Sequence, residues 1–121
     1  MQYRMSDTAR AVLNIETREH LDDTPDVSYL DQEEFADRRD DYRRGDFHFI
    51  GIDARAELIV DHVTQEIVSG GLWGIESDSG EDHLREIAGE ELASLASILR
   101  TLGFTADELR DQWPEGFTLP E

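Results

Sequence analysis

The chain has 121 residues with 38% apolar content, enough for one modest core and not for two, so a single domain over residues 1–121 is expected. Twenty-nine Asp and Glu stand against eleven Arg and no Lys; the net charge of −18 argues against direct binding of nucleic acid or an anionic membrane, which both need positive surface. Without Cys there is no disulfide, thiol nucleophile or Cys-based zinc site.

No signal-peptide-like apolar run opens the sequence, and none approaches the ~18 residues of a membrane span, so a cytoplasmic protein is expected. Residues 11–19 fit either a strand with Leu13, Ile15 and Thr17 on one side or a short helix, the strand being preferred. His20 to Val27 is polar, contains Pro25 and reads as a loop. Leu30 to Arg44 is predicted helical: Phe35 and Tyr42 lie seven apart on one face, Arg43 and Arg44 fill the last turn and Gly45 follows. Glu34–Arg38 and Asp40–Arg44 are acid-first i, i+4 pairs, so this helix largely neutralises itself.

Phe47 to Val60 carries the clearest strand pattern. Ile50, Ile52, Ala54, Ala56, Leu58 and Val60 are apolar, while Asp53, Arg55 and Glu57 fall between them, predicting one buried and one wet face. Asp61 to Thr64 would turn the chain, and Gln65 to Ile75 would return antiparallel, with Gly70, Gly71 and Gly74 marking a bulge or close backbone approach rather than a phosphate loop. A long helix is predicted from His83 to Leu102, opened by a capping box of Ser79 with Asp82 and stopped by Gly103. Leu84, Ile87, Ala88, Leu92, Leu95, Ile98, Leu99 and Leu102 form its apolar stripe, and Ala54 and Ala56 leave room for it to approach the sheet. Thr105 caps a last short helix reaching about Gln112 before Trp113-Pro114. The predicted fold is therefore α+β: a small antiparallel sheet of two or three strands with helices packed on one face.

The sequence shows no catalytic constellation. His48, His62 and His83 lack metal-ligand spacing and read as surface or capping residues. Glu76 to Asp82 departs from a calcium loop because Gly80 occupies an acid-ligand position and Ile87 the final Glu position. No catalytic, cofactor or metal residue is assigned, and an enzyme is not expected. Two acidic features stand out. Asp82, Glu86 and Glu90 form an i, i+4 row of like charge, each pair costing about 0.2–0.5 kcal/mol. With Asp78 and Glu81 they make a ridge that is either a solvated face or a surface for a basic partner. Acids four apart on a helix stand about 6 Å from one another, near the spacing of phosphates along one strand. A duplex carries one charge per ~1.7 Å, so a second row would have to come from residues 105–115 or another subunit. Glu91 falls inside the apolar stripe and needs a donor such as Arg55 or the Trp73 indole, or else a partner covering it.

The runs Tyr42-Arg-Arg-Gly-Asp-Phe-His-Phe-Ile-Gly-Ile-Asp-Ala-Arg-Ala and Ser69-Gly-Gly-Leu-Trp-Gly-Ile-Glu-Ser-Asp-Ser, followed by His83-Leu84, resemble a group of small acidic proteins encoded by bacteriophages and other mobile elements. The resemblance covers about Val27 to Gly103, with His83 standing where an aromatic is expected. It implies a mobile-element setting and carries over no catalytic residue. Small acidic proteins of such elements include DNA mimics that inhibit restriction and CRISPR nucleases. The expected partner is accordingly a basic nucleic-acid-binding host protein, met in the host cytoplasm through Asp78, Glu81, Asp82, Glu86 and Glu90, with no cofactor. The alternative is a non-catalytic accessory or scaffolding module whose acidity serves solubility or salt tolerance.

Overall fold

A computed structural model describes residues 10–120. Strands β1 (Arg10–Leu21), β2 (Phe49–Val60), β3 (Val63–Val68) and β4 (Leu72–Glu76) form one antiparallel sheet, joined by helices α1 (Ala36–Arg43), α2 (Glu81–Thr101) and α3 (Ala106–Arg110). The fold is α+β. β2 is the middle strand: β1 pairs along one edge, while β3 and β4 follow one another along the other. The predicted return strand Gln65–Ile75 is thus two strands, separated where Ser69, Gly70 and Gly71 leave the ladder. The turn before it is tighter than the predicted Asp61–Thr64. Val63 already pairs with Val60, and the two loop residues Asp61 and His62 take φ of 51° and 69°, as a two-residue hairpin loop requires.

Residues 11–19 are a strand, but Leu13 does not face the core. Val12 pairs with Leu58 and Asn14 with Glu57, so Leu13 is the extra residue of a bulge. The bulge changes the side-chain parity, burying Val12 with Ile15 and leaving Leu13 41% exposed. The strand continues through His20 to Leu21, where a loop was predicted.

β2 buries the even residues Ile50 through Leu58 against α2, as its alternation requires. Its odd face is wet only in part, since Phe49 and Asp53 are buried too. Residues 28–49 cause the first of these by forming a second apolar cluster, in which Leu30, Phe47 and Phe49 pack with Tyr29, Phe35 and Tyr42. The Tyr42 and Phe49 rings meet edge to face with centroids 5.2 Å apart, and the Arg38 guanidinium lies 4.0 Å from the Phe47 ring centre. Much of the segment predicted as helix from Leu30 is 3-10 turn (Ser28–Asp31 and Glu33–Phe35), and the α-helix begins only at Ala36. Its end is as expected: Gly45, at φ 78°, and Asp46 donate their N–H groups to Tyr42 and Asp41 carbonyls.

On α2, Ile87, Ala88, Leu92, Leu95, Ala96 and Leu99 are buried. Ile98 and Leu102, predicted in the stripe, are 36% and 51% exposed; Leu102 instead borders an open cleft of about 290 Å³ beside Leu58, Val60, Ile67 and Phe104. The helix starts two residues earlier than predicted, without the Ser79–Asp82 box. Gly80 is its N-cap at φ 98°, and the Ser79 hydroxyl donates back to the Glu76 carbonyl. The Thr105 cap is as expected, exchanging hydrogen bonds with Glu108 at the start of α3. The chain then returns along α2, where Arg85 donates to the Gly116 carbonyl at 2.7 Å and stacks on Phe117.

Candidate functional site

Four of the five predicted contact residues lie on α2. Glu81, Asp82, Glu86 and Glu90 are all exposed, and none forms an ion pair among the described residues. Arg85, the one Arg within their stretch, is turned away by its bonds to the C-terminal segment. The row therefore keeps its full negative charge. Asp78 differs: Arg38 reaches across from α1 to hold both Asp78 and Glu76 at 2.6 Å, and Tyr29 donates its hydroxyl to Glu76. Arg38 holds the Asp78 carboxyl below the usual carboxylate range, and Asp78 adds little free charge to the ridge. Arg38 makes these bonds in place of the predicted pair with Glu34, and Arg44 turns to Asp41 and Asp46 rather than to Asp40.

Glu91 has the hydrogen-bond donors its wheel position demands, although neither predicted candidate supplies them. Ser69 Oγ and the Gly71 N–H donate to Glu91 Oε1 at 2.7 and 2.8 Å. Ser69 Oγ in turn accepts the Ala54 N–H at 2.9 Å, so one buried hydroxyl ties the helix to the break between β3 and β4. Arg55 and Trp73 are not partners because they lie on the other face of the sheet. Trp73 rests flat against Gly51, where a Cβ would stand 2.2 Å from the ring, and stacks on His20 at 5.6 Å.

That second face carries an ordered ion network. Arg55 bridges Glu16 on β1 and Glu66 on β3 at 2.6 and 2.7 Å. One row along, Arg18 holds the buried Asp53 through two hydrogen bonds of 3.1 and 3.2 Å. His20 Nε2 stands 3.1 Å from Asp53 Oδ2, close enough for an ion pair but out of line for a hydrogen bond. Burial pushes the Asp53 carboxyl up, but the two bonds from Arg18, with His20 close by, outweigh it and leave the carboxyl below its ordinary value. Arg55 likewise lowers Glu16. Sequence alone missed this network, because His20 was assigned to a loop and the pairing of Arg18 with Asp53 exists only once the β1–β2 register is known.

Depressed carboxylates stabilise the fold above their unfolded values near pH 4, and this contribution is lost as pH falls through the folded values. Protonation also relieves self-repulsion, which acts in the opposite direction. In roughly 1 M salt the repulsion is already screened. Under that condition urea melts are expected to show stability falling steadily below about pH 4. A flat profile there would mean that the network contributes nothing.

His48, His62 and His83 are exposed, and among the described residues no cluster of His, Asp and Glu is placed to hold a metal ion. No helix among them is long and apolar enough to cross a membrane. Compared with known protein families, curated proteins and solved structures, the chain matches none.

Proposed function

We propose that the protein is an acidic binding protein that occupies the nucleic-acid groove of a basic host protein, such as a CRISPR or restriction nuclease, within the host cytoplasm. The observation that supports this reading is the uncompensated row Glu81, Asp82, Glu86 and Glu90 on the outer face of α2. Elsewhere in the fold Arg18, Arg38 and Arg55 are spent on neighbouring acids, yet this row repels itself with no Arg among its partners. In a basic groove the same repulsion is relieved, and Coulomb attraction steers the encounter. Asp111 and Glu115, both exposed beyond α3, are further acids a groove would meet.

Immobilised protein is expected to retain a DNA- or RNA-binding host protein at low salt and to release it as salt rises. The captured protein should also lose its bound nucleic acid when the acidic chain is added. Capture that is indifferent to salt and leaves nucleic-acid binding unchanged would instead favour an accessory module whose charge serves solubility or salt tolerance.

A further inference from the structure

β1 is a terminal strand of the sheet, and among the described residues no backbone group bonds to its outer edge. It also carries no net charge. Two Arg and two Glu make it neutral within a protein of charge −18, so pairing along it avoids the repulsion that opposes contact elsewhere. The Asp22 N–H bonds to Phe49, and the register counts back from there in steps of two. His20, Arg18 and Glu16 thus direct their backbone groups to β2, whereas Ile15, Thr17 and Glu19 direct theirs outward.

We propose that two copies of the chain form a two-fold dimer by antiparallel pairing of this β1 edge, with Thr17 opposite the partner's Thr17. The strand is charge-complementary to its own reverse. Glu16 and Arg18 flank Thr17, while Leu13 and Leu21, 41% and 62% exposed, lie four residues to either side. Rotation about Thr17 places Glu16 opposite the partner's Arg18, and Arg18 opposite the partner's Glu16. Both ion pairs are thereby satisfied by one register. Registers centred on Glu16 or Arg18 set like charges face to face, which is destabilising. The ion network also continues across the boundary: Glu66, Arg55 and Glu16 alternate in sign, and the partner's Arg18 and Asp53 extend the alternation. The Leu13 bulge ends the pairable run on one side, limiting growth into longer assemblies. An axis normal to the sheet leaves both α2 helices on the same face and both acidic rows on one side. The dimer does not depend on what those rows bind.

Sedimentation equilibrium at roughly 100 µM chain in ~0.15 M salt is expected to give twice the 13.8 kDa chain mass. A monomer mass overturns the proposal. Thr17→Cys supplies the only thiol in the chain. Hydrogen-bonded antiparallel partners stand about 5.5 Å apart, within disulfide reach, so mild oxidation is expected to lock the dimer. Thr64→Cys, exposed on β3, serves as the control, and equal cross-linking of the two variants overturns the register. Thr17→Pro removes the central outward N–H and is expected to halve the mass with the native circular dichroism retained. A folded Thr17→Pro variant that remains dimeric overturns the proposal, and if it fails to fold the disulfide result decides alone.

Discussion

Leu95→Ala is expected to lower the unfolding free energy by roughly 2–5 kcal/mol, toward the upper part of that range. The spread within such truncations reflects how far the surroundings collapse into the space left behind. Leu95 is 0% exposed in the middle of α2, and the residues beneath the helix include Ala54 and Ala56, also 0% exposed. Alanines have no rotamer with which to fill a void, and β2 is held by strands on both edges, so the cavity should persist. Urea denaturation with an unchanged m-value measures the loss. A change below about 2 kcal/mol would show that the α2 stripe is not the main core.

Ser69→Ala is expected to cost about 1–3 kcal/mol, more than a surface serine warrants. At the break between β3 and β4 the Ser69 hydroxyl, rather than a strand carbonyl, receives the Ala54 N–H. Removing it leaves a buried donor without an acceptor and takes one of two hydrogen bonds from Glu91, which keeps the Gly71 N–H. Hydrogen exchange should report this locally, with the Ala54 amide losing protection before the rest of β2. If Ala54 exchanges as in the native chain, the hydroxyl is dispensable to β2 and does not tie it to the helix.

The features legible in the sequence were those governed by a single period. The alternation from Ile50 to Leu58 and the repeat from Ile87 to Leu99 each state one buried face, and together they state a helix on a sheet. What was not legible arises where a second element intervenes. The parity of β1 is reset by a bulge at Leu13, which depends on pairing with β2. Phe49 occupies an odd position of β2 yet is buried, because Tyr29, Phe35 and Tyr42 return over it from earlier in the chain. Ile98 and Leu102 satisfy the helical repeat but gain no full cover, Leu102 lying at the C-cap where α2 ends. The acid row on α2 was visible because helical spacing alone defines it, whereas the loss of Asp78 to Arg38 required the fold that brings α1 beside β4.

The central claim is that this row is a contact surface rather than a solvated face. Replacing Asp82, Glu86 and Glu90 together by Arg tests it most directly, since all three are exposed and bear no structural hydrogen bond among the described residues. The variant should keep the native fold: a row of three Arg repels itself about as the row of three acids does, and loss of the Asp82 charge from the first turn of α2 is expected to cost no more than about 1 kcal/mol. In a displacement assay with the captured basic partner and labelled nucleic acid, it is predicted to compete more than about a hundredfold less well. A folded triple variant that competes as well as the native chain would contradict the assignment of α2 as the binding surface.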